Sequence, residues 1–182
     1  MPDLTDSRPP SRCRAIPAGL HLVLGGALLL LAGCSLTPAP APVEIPVGQA
    51  AYRQGEWALR RGDNTIMGRT AVPGPDGHVL TCAGDAASLI PDIPATRARM
   101  EALYGPGRSL VLVSAAPHLP HDPWLDRLVV KNRCDADGHF IFSYVPNGRY
   151  FVTAGLPGPP AVSIRRELSV YGGVTRQVNL VR

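Results

Sequence analysis

The stretch whose reading decides the fold is Cys134–Gly155, CDADGHFIFSYVPNGRYFVTAG. From His139 its side chains alternate. Phe140, Phe142 and Tyr144 fall on one side, Ile141 and Ser143 on the other, which is the period of a β-strand. Pro146-Asn147-Gly148 then supplies turn chemistry, because Asn and Gly tolerate positive φ. A second alternating run follows, with Tyr150, Val152 and Ala154 on one face and Arg149, Phe151 and Thr153 on the other. The pair reads as a β-hairpin or a close relative of one.

The opening Asp135-Ala136-Asp137-Gly138 has two readings, a calcium loop or a tight turn. An EF-hand loop places its Gly after three alternating ligands and a Glu six positions beyond that Gly, between two helices. Here Gly138 comes too early, Tyr144 stands where the Glu belongs, and strands follow. Asp137-Gly138 is therefore read as a turn.

The same signal recurs at Pro75-Asp76-Gly77-His78, before Val79–Pro91, with Thr65–Ala71 as the strand preceding it. Ser109–Ala115, Leu125–Arg133, Ser163–Val170 and Thr175–Val181 are further strand candidates, and Tyr171-Gly172-Gly173 is a turn between the last two. Ala95–Tyr104 sets Met100, Leu103 and Tyr104 at helical spacing and stops at Gly105-Pro106, predicting one short helix. With 19 Gly and 20 Pro the chain holds far more turn residues than the roughly 12% of an average protein, and 45% hydrophobic residues suffice for a core. Short strands and frequent turns predict an all-β fold.

Thr65–Arg69, the Cys134–Gly155 stretch and the ending LSVYGGVTRQVNLVR together resemble the carboxypeptidase regulatory-like domain. The resemblance spans about residues 64–181, interrupted by an insertion at about 92–130. It implies a seven-stranded, prealbumin-like β-sandwich, here with one short helix in the inserted segment. Within the motif the Gly residues serve turns and Phe140, Phe142 and Tyr150 serve the core, so it implies a scaffold and no reaction. The zinc carboxypeptidases that give the family its name carry a His-x-x-Glu pair in a separate domain. The residues three after His78, His118, His121 and His139 are Thr81, His121, Trp124 and Phe142, so that pair is missing.

The N-terminus carries Arg8, Arg12 and Arg14 and then an apolar run, Leu22–Gly33. Those 12 residues make about 18 Å of helix, against about 30 Å of bilayer hydrocarbon. This describes an export signal rather than a membrane span. Leu31-Ala32-Gly33-Cys34 resembles the lipobox of bacterial lipoproteins, which implies a signal peptide over 1–33, cleavage before Cys34 and acylation there. Two or more acyl chains hold a protein on a membrane durably. Ser35, rather than Asp, after the lipidated Cys implies the outer membrane facing the periplasm. Leu36–Gly48 has Pro at 38, 40, 42 and 46 and reads as an extended tether, with 34–48 as linker and 49–182 as the domain.

The whole chain is formally +4, and about +3 without the signal, spread thinly; this speaks against nucleic acid as partner. Cys13 leaves with the signal and Cys34 takes lipid. Cys82 and Cys134 remain, and two thiols in an exported domain point to one disulfide, with two free buried thiols as the alternative. Trp57, Trp124 and Tyr104 are candidate stacking platforms for a sugar or peptide. His118 and His121, beside Asp122 and Asp126, are weak candidates for a metal. Arg61-Gly62-Asp63 reads as a polar turn, and no nucleophile elbow or phosphate loop is present. No cofactor is implied. The chain is thus expected to be a non-catalytic, membrane-tethered module of the cell envelope, serving an envelope protein partner. The alternatives are a carbohydrate or peptidoglycan binder and, further off, a metal-dependent hydrolase.

Overall fold

The computed structural model describes residues 47–74 and 76–181; the expected export signal, the expected lipidation site Cys34 and most of the expected tether lie outside them. The described chain opens with α1 (Gly48–Gly55) and a 3₁₀ turn, followed by β1 (Asn64–Thr70), β2 (Val72–Pro73), β3 (Val79–Leu80) and β4 (Ala86–Pro91). Next come α2 (Pro94–Tyr104), β5 (Leu110–Leu112), a second 3₁₀ turn, α3 (Pro123–Asp126) and β6 (Val130–Arg133). The C-terminal third is strand throughout: β7 (His139–Val145), β8 (Gly148–Leu156), β9 (Val162–Val170) and β10 (Thr175–Leu180).

Two sheets form a sandwich. One has the order β10-β1-β7, the other β5-β9-β8-β4-β6, and β2 pairs with β3 in a separate ribbon. The architecture is mostly β where an all-β fold was expected: the two sheets hold eight strands rather than seven, and the described residues contain three α-helices rather than one. β1 lies parallel to β10 and antiparallel to β7. Ile66, Phe140, Phe142, Val178 and Leu180 from the smaller sheet meet Leu89, Tyr150, Val152, Ala154, Ile164 and Val170 from the larger. Burying each large apolar side chain contributes about 1.5–3 kcal/mol.

The Cys134–Gly155 stretch departs from the hairpin reading. β7 pairs with β1 while β8 pairs with β4 and β9, so the turn at Pro146-Asn147 carries the chain from one sheet to the other. Alternation also breaks at Tyr144, which was expected beside Phe142. β7 has an extra residue opposite β1 here, Tyr144 takes φ 59°, its side chain is 57% exposed, and Val145 turns inward instead. Asn64, buried, holds this corner: its Nδ2 donates to Val145 O (2.9 Å) and Asn147 Oδ1 (3.0 Å), and its Oδ1 accepts from Val174 N (3.0 Å). Gly62 packs so closely on Pro146 that a Cβ would lie 2.3 Å from its Cα, and its N–H donates to Tyr144 O (2.8 Å), so the turn expected at Arg61-Gly62-Asp63 is instead a link packed on this corner, with a bend at Asp63.

β8 is largely buried on both faces, because the segment between β4 and β6 covers the outside of the larger sheet. Pro94 begins α2 and Gly105, at φ 82°, ends it. Met100 and Tyr104, four apart and so on one helix face, pack on Ile90 and Phe151. A third cluster joins Ala51 of α1 to Ile93, Leu125 and Leu128. Two strand expectations in the segment shorten accordingly. Leu125 begins inside α3, whose N-cap is Asp122, and Val113–Ala115 forms the 3₁₀ turn after β5.

Candidate functional site

Cys82 and Cys134 are bonded, with Cα atoms 5.8 Å apart. The Asp137-Gly138 turn sits next to this bridge. Asp135 Oδ1 accepts from the backbone N–H of Asp137 (3.0 Å) and His139 (2.8 Å), and Gly138 takes φ 77°. A Cβ at Gly138 would lie 2.9 Å from Thr70 O, while Thr70 N donates to Gly138 O. Turn chemistry and close approach both require the glycine. The backbone N–H of His139 and then of Asp137, with the nearby imidazole, hold the Asp135 carboxyl below the usual carboxylate range. Asp135, Asp137 and His139 bring three potential ligand atoms within 4.8 Å of one another, all three on exposed residues.

From this turn the chain enters the outer face of the smaller sheet. Ile66, Gly68 and Thr70 of β1 point into the sandwich, where a Cβ on Gly68 would strike the Phe140 ring at 2.3 Å. Met67 and Arg69 therefore point out. Register sets Met67 between Gln177 and Ile141, and Arg69 between Asn179 and His139. These side chains, with Arg133 and Asp135 at one side, line a groove of about 520 Å³. Met67 and Ile141 are 41% and 44% exposed and form an apolar strip among planar polar groups. Arg69 Nε donates to Asp137 O (3.2 Å), and an Arg133 amino group donates to Gly84 O (3.4 Å). The arrangement can hold a polar, hydroxyl-rich ligand with one apolar face.

The residues singled out from sequence lie elsewhere and apart. Trp57 packs edge-on to Tyr150 (ring centroids 5.5 Å apart) and over Gly148, where a Cβ would lie 2.2 Å from the indole. Tyr104 is 5% exposed; its hydroxyl is 2.6 Å from Ser163 Oγ and the Arg165 guanidinium lies over its ring, 5.1 Å from the centroid. Trp124 is half-buried, 5.8 Å from Tyr52 and with Arg127 4.6 Å from its ring centroid. The three aromatic rings thus occupy three packing environments and form no shared platform. His121 Nε2 pairs with Asp126 (2.7 Å), whereas Asp122 caps α3 by accepting from Trp124 N (3.0 Å) and Leu125 N (3.3 Å). Among the described residues His118, His121 and Asp122 do not gather as metal ligands. Gln177 and Asn179 were legible in sequence only as the outward positions of a strand; nothing local placed them beside Arg69.

No protein-family model and no curated protein matches this sequence, so the resemblance to the carboxypeptidase regulatory-like domain rests on the motif residues alone. Among solved structures, a crystal structure from Pseudomonas aeruginosa described as a "putative carbohydrate binding protein (PA1324)" matches with TM-score 0.60 and 16% identity, over 76% of this chain and 100% of that one. The chain is thus a β-sandwich domain with the fold of that protein.

Proposed function

We propose that this chain is a non-catalytic carbohydrate-binding module, tethered to the cell envelope through acylated Cys34 and displayed in the periplasm on its Pro-rich linker. The observation that carries the reading is the outer face of the β10-β1-β7 sheet. There Gln177, Asn179 and Arg69 stand in register around the Met67–Ile141 strip of the groove. Amide and guanidinium planes offer paired hydrogen-bonding groups that match vicinal sugar hydroxyls, and the apolar strip suits the C–H face of a sugar ring. The fold likeness to a protein described as carbohydrate-binding supports the same reading. Asp135, the carboxylate lining the groove, is engaged by its own turn, which favours binding over acid–base chemistry.

The test is a glycan array probed with the full chain in uncharged detergent. Replacing Gln177 and Asn179 together by Ala should weaken retention about tenfold or more, at unchanged thermal stability. Retention that survives the double substitution excludes this face. Mass spectrometry of the intact protein tests the anchor, and an unacylated Cys34 rejects it.

A protein partner remains the second reading, favoured by a separate groove of about 650 Å³ where Leu119 and Trp124 meet Ala98 and Ala102 of α2. One stoichiometric protein co-purifying from envelopes, and lost in Trp124→Ala, would select it.

A further inference from the structure

Two guanidinium groups line the same groove, and among the described residues neither has a carboxylate within ion-pair distance. The contrast within this molecule is direct. Arg97 and Arg149 converge on Asp92, whose side chain is only 7% exposed, and Arg97 also reaches Glu167 at 3.6 Å. Arg69 and Arg133 instead spend one donor each on a backbone carbonyl, Asp137 O and Gly84 O. Those bonds orient the guanidinium planes while leaving most of their donors unused by the protein. Asp135 is the one acidic side chain lining the groove, and two backbone N–H groups and His139 Nδ1 (3.3 Å) already surround its carboxylate. The groove is therefore a cationic concavity with spare forked donors, which fits a bidentate anion better than a neutral hydroxyl pair.

Building on the carbohydrate reading, we propose that the ligand is an acidic glycan, and that Arg69 and Arg133 grip the carboxylate of a uronic acid residue while Gln177 and Asn179 take neighbouring hydroxyls. A carboxylate gains charge-assisted hydrogen bonds that its methyl ester cannot match. The discrimination should be about tenfold or more and should shrink as salt rises.

The experiment is titration calorimetry of the full chain in uncharged detergent. Oligogalacturonate and oligoglucuronate are each compared with their own methyl esters, beside any neutral glycan retained on the array. The expected result is about tenfold tighter binding of the acid form, abolished in Arg69→Ala and in Arg133→Ala. Arg69→Gln and Arg133→Gln, which retain most of the side-chain volume, should lose the discrimination at wild-type melting temperature and so exclude unfolding as the cause. Equal binding of acid and ester, or discrimination that persists in the arginine variants, overturns this inference and leaves the carbohydrate reading standing. Failure to bind any glycan, acidic or neutral, overturns both.

Discussion

Tyr150 shows how one side chain serves packing and polarity together. Its ring is 1% exposed, lies edge-on to Trp57 and ends in a hydroxyl that donates to Pro146 O (3.0 Å), bracing the corner where the chain changes sheets. Burial first, and the nearby Tyr171 second, push its pKa well above the ordinary tyrosine value of about 10. A folded-state pKa above the unfolded one gives stability that is complete below pH ~10 and is lost as pH rises toward the folded value. The urea midpoint should therefore fall progressively above pH ~10. Tyr150→Phe should flatten that fall while lowering the neutral-pH stability by about 1 kcal/mol for the lost hydrogen bond. Tyr104, also raised chiefly by burial, should contribute to the slope that remains. An unchanged alkaline slope in Tyr150→Phe would show that the phenol is not the group that titrates.

At the scale of elements, α2 gives the segment between β4 and β6 its place in the fold. Without it the outer face of β8 and β4 would expose Phe151 and Ile90 to water; with it Met100 and Tyr104 complete a second apolar layer. The joint is reinforced at the helix end. Arg165, 6% exposed, donates from Nε to Arg108 O (2.8 Å) and from an amino group to Gly105 O (3.4 Å), satisfying carbonyls just past the helix C-terminus. Met100→Ala should remove about 2–4 kcal/mol, from lost burial plus the cavity left behind. Urea denaturation measures it; a loss below ~1 kcal/mol would mean that α2 rests on the sheet without being packed into it. The helix and the 3₁₀ turn after β5 arise where apolar runs in this segment lack a strict period of two. Met100 and Tyr104 announced the helix, whereas Val113–Ala115 reads as strand by composition and bends only because the chain leaves the sheet edge there.

For the whole molecule, the Cys82–Cys134 bridge ties the loop before β4 to the segment after β6, closing 52 residues of chain. In the chain-entropy description that constraint removes about 4 kcal/mol of unfolded-state freedom. Reduction should lower the urea midpoint by a corresponding amount without abolishing the β-sheet circular dichroism, because the sandwich core lies on both sides of the bridge. A midpoint indifferent to reductant would show that the thiols are not bonded in solution. The same bridge lies beside the Asp137-Gly138 turn that leads into the groove, so under the proposed function reduced protein should also bind glycan less tightly.

The long strands β1, β7, β8, β9 and β10, the Asp-Gly turns and the one strongly patterned helix were legible from residues 64–181 alone, because side-chain alternation and left-handed glycines act over a few residues. Cys82 and Cys134 were legible as a pair by elimination, on the expectation that the domain is exported and so leaves few other uses for two thiols. Three things were decided only by tertiary structure. Partner choice sent β7 and β8 to different sheets, where alternation is silent about which strand lies alongside. The fold also gave Phe151 a helix to face, although its position in the alternation suits solvent equally well. And the crossing of the chain's beginning and end set Arg69 of β1 against Asn179 of β10 and His139 of β7, so a groove exists where the sequence holds only three separate outward-facing strands. Local sterics are written in neighbouring residues; a binding face depends on residues distant in the chain meeting across a sheet, which only the assembled fold brings about.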